Sequence, residues 1–237
     1  MTNARVLVWD GCVNVRDIGG LPTEDGGEIQ RRVVIRADSI RGLTETGWQA
    51  LLDDGVGLAI DLRSDREVAE DDDRDAPIPV VHIAVDPSAV PAAHNFPTMY
   101  EGYLALLEHF HDEFARAVDT VATADTPVVI HCAGGRDRTG IAVALMLRLA
   151  GVDPETIAAD HAISDESWGP HNEAWFAEAE DEEERERRRR IAKPAGRTMV
   201  DVLEEVDRRY GGPRAYITAA GGTDANLDNL VLRLRGR

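Results

Sequence analysis

Residues 127–140 read PVVIHCAGGRDRTG. The first five, Pro127 to His131, are short, apolar and β-branched, which predicts a buried strand. From Thr139 to Ala150 the chain is apolar on most sides, which predicts a helix that Gly151 stops. Strand, glycine-rich turn and helix start make the arrangement from which phosphate cradles are built. The turn aims successive backbone N–H groups inward, and the helix N-terminus adds its positive end. In open α/β sheets ligands bind at the carboxyl ends of strands, where this turn falls.

Each residue type in the turn has a chemical use. Backbone amides and the helix terminus favour a sulfur anion at Cys132, and a thiolate is a competent nucleophile toward a phosphoryl group. Arg138 follows six residues later, and its planar fork can grip two phosphoryl oxygens. Thr139 can donate its hydroxyl to the Cys132 sulfur. His131 can brace the turn by hydrogen bonding to backbone. Gly134 and Gly135 permit unusual dihedrals and close approach of backbone to a ligand. Ala133, Gly134, Gly135 and Arg136 are the candidate substrate contacts from the turn. A phosphomonoester also needs a proton for its leaving oxygen. Asp137 is the first candidate and Asp86, before Pro87, the second. The arginines on either side of Asp137 favour its ionised form, which counts against it as an acid. Cys-x5-Arg alone is a weak pattern, and a buried structural cysteine with a chance arginine is the plain alternative. The preceding His, the two glycines, the following Thr and the flanking strand and helix weigh against it. Cys12 has no such neighbourhood and reads as an inert small side chain.

Outward from the turn, strands alternate with helices. Residues 5–9 and 33–36 read as short strands, 56–62 as a buried parallel strand, and 78–85 as another. Thr44 to Asp54 reads as a helix closed by Gly55. Ser64 and Glu67 have capping-box spacing, so a short helix opens there. Tyr100, Tyr103, Leu104, Leu107, Phe110, Phe114, Val118 and Val121 mark one apolar face of a single long helix. Asp153-Pro154 opens a further helix, and beyond about residue 163 the chain reads as almost all helical. The expected fold is α/β: a mostly parallel central sheet flanked by helices, with a helical C-terminal part. No Pro/Gly/Ser-rich linker divides residues 1–237, so one domain is expected. Residues 178–190 are a charge run. Asp181–Arg185, Glu183–Arg187, Glu184–Arg188 and Glu186–Arg190 have i,i+4 spacing, which supports a solvated helix. Its sparse apolar surface makes 165–192 a candidate lid.

The chain has 237 residues and a formal net charge of −18. That charge argues against nucleic acid and against anionic membrane as partners. It also requires any phosphate site to be strongly positive locally. No stretch approaches a membrane span, and Met1 to Asp10 lacks the pattern of a signal peptide. Two cysteines make a disulfide framework improbable and point to a reducing, cytoplasmic setting, though export without a signal peptide stays open. The histidines do not cluster with metal-ligand spacing, so neither metal nor other cofactor is expected.

At the turn the sequence resembles the tyrosine/dual-specificity phosphatase superfamily, with its His-Cys-x5-Arg-Ser/Thr signature. It is most similar to the bacterial branch whose turn reads His-Cys-x-x-Gly-Lys-Asp-Arg-Thr-Gly. The likeness extends to Asn14-Val15-Arg16-Asp17-Ile18-Gly19-Gly20, to Arg36-Ala37-Asp38-Ser39, and to Asp61-Leu62-Arg63-Ser64 with Glu67. It implies the cysteine-phosphatase fold, a metal-free two-step reaction through a phosphocysteine, and phosphorylated proteins or phosphoinositides as substrates. It also implies that a helical segment after the turn can act as a lid. Arg136 stands where the branch has Lys, and no Trp-Pro-Asp acid loop is found. Arg63, at a strand end that should open on the site, reads either as a phosphate contact or as one half of a structural ion pair. Arg16 and Asp17 read either as a pair holding the N-terminal segment or as site contacts. His161, with Asp160 and Ser164, reads as helix packing more readily than as a contact to the substrate. Two other thiol chemistries fit the sequence less well. A reductase relay lacks further cysteines, and a sulfurtransferase has no need of the Arg138-Thr139 pair. A catalytically dead phosphate-binding module would have lost Cys132 or Arg138.

Overall fold

The computed structural model describes residues 4–70, 76–91, 96, 98–193 and 197–236. The first three residues, part of the stretch read for a signal peptide, lie outside them. Five strands form one sheet: β1 (Arg16–Asp17), β2 (Val34–Ala37), β3 (Leu58–Asp61), β4 (Val80–His82) and β5 (Val128–His131). Their order is β1-β2-β5-β3-β4. β5 is central and parallel to both β2 and β3, and only β1 runs antiparallel. β2 and β5 are buried along their whole length, as the apolar run 127–131 predicts for β5. Residues 5–9 form no strand; Val6 makes a single bridge to Arg16.

α1 (Glu45–Asp53) is capped by the Thr44 side chain, and α2 (Asp65–Ala69) by the Ser64–Glu67 capping box. The long helix read from the 100–121 periodicity is two helices, α3 (Met99–His109) and α4 (His111–Thr123). They break at Phe110, whose backbone leaves the helical region with φ −115° and ψ 39°. The apolar positions stay in step across the break, so periodicity alone does not reveal it. α5 (Asp137–Leu149) follows β5 directly and is buried over most of its length. Phe114, Val118 and Val121 of α4 join Ile141, Leu145 and Met146 of α5 in the larger core cluster.

The C-terminal part is helical: α6 (Pro154–Ala177), α7 (Glu182–Ile191), α8 (Thr198–Tyr210), α9 (Pro213–Ala219) and α10 (Asp224–Arg235). Asp153 caps α6 and Pro154 occupies its first turn, as read from the sequence. The charge run realises one of its four expected i,i+4 pairs, Glu184–Arg188. Three arginines take i,i+3 partners: Arg185 with Glu182, Arg187 with Glu184 and Arg189 with Glu186. Asp181 instead caps α7, accepting from the Glu184 N–H. Among the described residues no helix is long and apolar enough to cross a membrane.

Candidate active site

The turn joins the carboxyl end of the central strand to the N-terminus of α5. Its shape is imposed from outside, carbonyl by carbonyl. The Ser39 N–H donates to the Ala133 carbonyl at 3.0 Å. Asn14 Nδ2 and Trp168 Nε1 donate to the Gly134 carbonyl at 2.9 and 2.8 Å. Arg36 Nη2 donates to the Gly135 carbonyl at 2.9 Å. In a trans peptide the carbonyl and the next N–H point opposite ways. Pinning these three carbonyls outward therefore turns the N–H groups of Gly134, Gly135 and Arg136 into the turn's interior, which makes an anion cradle. Gly135 has φ +63°, and a Cβ there would lie 2.3 Å from the Ala37 carbonyl oxygen. Glycine is required by both the dihedral and the approach to β2.

Beneath the turn lies a buried charge cluster. Asp160 accepts from Arg5 at 2.7 Å, from Arg36 at 2.9 Å and from Arg16 at 3.2 Å. Burial works against ionisation of Asp160, but the three guanidinium groups outweigh it and hold the carboxyl far below its usual range. Asp160 thus sets one negative charge against three guanidinium groups. Arg16 and Asp17, read as a candidate pair, do not pair. Arg16 takes Asp160, Asn14 Oδ1 and Ser164 Oγ, while Asp17 accepts from the Gly19 and Arg32 N–H groups.

Cys132 is 2% exposed and Arg138 is 7% exposed. Arg138 Nη1 and Nη2 meet the two Glu67 carboxylate oxygens at 2.6 and 2.8 Å. Nη1 also donates to the Val85 and Leu62 carbonyls at 3.2 and 3.3 Å. Those contacts use one end of a five-donor fork and leave the edge formed by Nε–H and the second Nη2–H. Two parallel donors on one edge match two oxygens of a phosphoryl group. Burial opposes the charge on Arg138; the Glu67 hydrogen bonds and the field of the Cys132 sulfur outweigh it and raise its pKa. In return Glu67, despite burial, is held down to about 2 by Arg138 and the Ser64 amide.

The remaining candidates divide. His131 is buried, with Nδ1 3.8 Å from Asp61, and burial above all holds its pKa down to about 4. Asp137 Oδ1 accepts from the Tyr103 hydroxyl at 2.5 Å. Asp86 caps the 3-10 turn Pro87–Ala89, accepting from the Ser88 N–H and hydroxyl, one residue after the Val85 carbonyl that holds Arg138. Thr139 Oγ1 is buried and has no hydrogen-bond partner, the cysteine sulfur included. Arg63 lays Nε and Nη2 on Asp61, the ion-pair arrangement of the two read for it. Arg136, read as a substrate contact, turns its side chain to the C-terminal helices. Its Nε lies 2.8 Å from Asp165, and Nη2 meets the Lys193 carbonyl. Cys12 donates to the Ser39 carbonyl at 3.5 Å, and burial, then Asp38, push its thiol pKa up, as suits an inert side chain.

Sequence reasoning missed Trp168, Tyr103 and Asp165 as neighbours of the turn. Tyr103 was counted for its apolar ring, and its hydroxyl was the overlooked signal. Glu67 was read only as a capping residue, and it performs both tasks. Asp165 and Trp168 fall within the segment read as a lid, and both lean on the turn.

A mostly parallel sheet flanked by helices, with this cradle at the end of its central strand, is a phosphatase architecture. The chain belongs to the tyrosine phosphatase family, whose model matches residues 7–236. It is 29% identical over 218 residues to a tyrosine-protein phosphatase of Nostoc commune, an alignment taking in 84% of this chain and 73% of the relative. It is 28% identical over 194 residues to the triple specificity protein phosphatase PtpB of Mycobacterium tuberculosis, covering 66% of this chain and 68% of that one.

Proposed function

We propose that the chain hydrolyses phosphomonoesters of tyrosine, and of serine or threonine, in proteins through a phosphocysteine on Cys132. The Cys132 sulfur attacks phosphorus while the cradle amides and the open edge of Arg138 bind the phosphoryl oxygens. Asp137 gives its proton to the departing oxygen as the P–O bond breaks and the S–P bond forms. A water then attacks phosphorus, passing a proton to the Asp137 carboxylate, and the sulfur leaves. Thr139, whose buried hydroxyl has no other partner, is available to donate to that departing sulfur. The breadth toward serine and threonine is what the resemblance implies, and a mycobacterial relative named for triple specificity accords with it.

The observation that carries this reading is the clamp on Arg138. Glu67 and two main-chain carbonyls hold one end of the fork, so its other edge is presented to whatever the cradle binds. The positive charge a metal could bring is supplied here by side chains and amides, and turnover is expected to persist in chelator. Phosphoinositide hydrolysis, implied by the resemblance, draws little support from Arg136, whose side chain is engaged by Asp165. Both cysteines are free thiols, which suits a reducing, cytoplasmic setting. The test is Cys132→Ser. It is expected to abolish release of phosphate from phosphotyrosine peptide while still binding vanadate, and full activity in that variant overturns the mechanism.

A further inference from the structure

Behind Asp137 lies a buried pair that the reaction as written does not use. Tyr103 on α3 and His161 on α6 are 3% and 2% exposed. The Tyr103 oxygen lies 2.5 Å from Asp137 Oδ1 and 3.1 Å from His161 Nε2. The rings meet edge to face, with centroids 5.8 Å apart. On its far side His161 Nδ1 is buried with no hydrogen-bond partner. Gly140 leaves the room for it, since a Cβ there would lie 2.5 Å from that nitrogen.

Proton counting gives the chain a direction. Tyrosine has one hydroxyl proton, and a carboxylate oxygen at this distance takes it. His161 Nε2 must then be a donor to the Tyr103 oxygen. That tautomer leaves Nδ1 as a bare acceptor. The other tautomer would bury an N–H with nothing to receive it, and orphaned buried donors are the rarer and costlier case. His161 also stays neutral: burial first, then Arg36, Arg136 and Arg16, hold its pKa well below the ordinary value against the pull of Asp160. Around Tyr103 the charged groups are Asp137, Arg136 and Asp165.

We propose that His161 and Tyr103 are positioning residues that fix Asp137 by a one-way hydrogen-bond chain, His161 to Tyr103 to Asp137, so that Oδ1 always accepts and Oδ2 alone carries the catalytic proton. This rests on Asp137 being the general acid. In the first step Oδ2–H protonates the leaving oxygen. In the second, Oδ2 takes a proton from the attacking water. Tyr103 and His161 keep their protons throughout.

The experiment measures kcat and KM from pH 5 to 9 on aryl phosphates with good and poor leaving groups, for wild type, Tyr103→Phe, His161→Leu, His161→Gln and Asp137→Asn. In Tyr103→Phe, kcat on phenyl phosphate is expected to fall about 10- to 100-fold, with KM and the dinitrophenyl rate within about twofold, as for impaired acid catalysis. His161→Leu should follow Tyr103→Phe, while His161→Gln, which keeps an N–H near the Nε2 position, recovers most of the rate. If Tyr103→Phe depresses both substrates equally, while Asp137→Asn is selective for the poor leaving group, the chain is wrong and the acid assignment stands. If Asp137→Asn is itself unselective, the acid assignment falls and takes the chain with it.

Discussion

Glu67 meets Arg138 end-on, its two carboxylate oxygens 2.6 and 2.8 Å from Nη1 and Nη2. The same carboxylate accepts from the Ser64 N–H at 2.8 Å and so closes the capping box of α2. One side chain thus ties a helix start to the arginine of the cradle. The strand β3 delivers both, because Ser64 and Glu67 follow it directly.

Glu67→Gln separates the two tasks. Glutamine also serves at the third position of a capping box, so α2 should persist. Against Arg138, however, its amide NH2 faces a donor, and one arm of the clamp is lost. We expect kcat/KM to fall roughly 10- to 100-fold, less than the loss from removing an oxyanion donor outright, with little change in helical circular dichroism. Unchanged kcat/KM would show that the clamp does not aim the fork. Arg138→Lys should be more severe, on the order of 10²- to 10³-fold, because an ammonium cannot both hold Glu67 and present a paired edge.

Gly135→Ala tests the cradle's shape. The left-handed backbone at residue 135 costs an L-residue about 1–2 kcal/mol, and the added Cβ would meet the Ala37 carbonyl oxygen. Since that contact is with β2 backbone, the turn must move rather than the strand. Activity is expected to vanish, with Tm lowered by at least about 3 °C for a chain of this size. An active, equally stable Gly135→Ala would mean that the turn does not press on β2 as described.

Asp160→Asn probes the charge cluster. Removing one partner of a buried ionic network typically costs about 3–5 kcal/mol, because the remaining charges stay buried and uncompensated. Here Arg5, Arg16 and Arg36 all lose their common carboxylate. Arg36 also holds the Gly135 and Arg136 carbonyls, so vanadate affinity should fall along with the unfolding midpoint in urea. A variant with unaltered midpoint would show that the arginines find water or other acceptors instead.

The turn was legible because its signals are local. A buried run, two glycines and a helix start within fourteen residues leave few ways to fold. The sheet was legible for the same reason, as β3 and β5 lie in short, nearly continuous apolar runs. Long-range partners were not. Nothing near Asp160 in sequence says that Arg5, Arg16 and Arg36 converge on it from the N-terminal segment. Tyr103 fits an apolar helical face equally well with or without a polar contact at its tip. Arg136 lies between two residues of the signature, so its position suggested a ligand contact, whereas its length lets it reach α6. The break at Phe110 was hidden because the apolar spacing on either side is compatible with one helix.

Acid pH should destabilise the protein in two windows. An unfolded histidine takes up a proton near pH 6.5, while His131 in the fold resists until about pH 4. Between those values the unfolded chain binds more protons than the native one, so stability falls as pH falls, by up to about 1.4 kcal/mol per pH unit for such a group. His161 acts in the same direction. Glu67 ionises at about 2 in the fold against an ordinary 4.5, so the stability from its pairing is intact above pH 4.5 and is lost on descending toward 2. From these groups the unfolding free energy is flat above about pH 7, declines from 6.5 to 4 through the two histidines, and declines again through Glu67. Urea melts from pH 4.5 to 8 should show the first decline in wild type. His131→Asn should show a shallower decline, with His161 still acting in the same direction. An equal slope in the variant would mean that His131 is protonated at the same pH in both states, which a neutral imidazole buried at the end of β5 beside the Asp61–Arg63 pair does not allow.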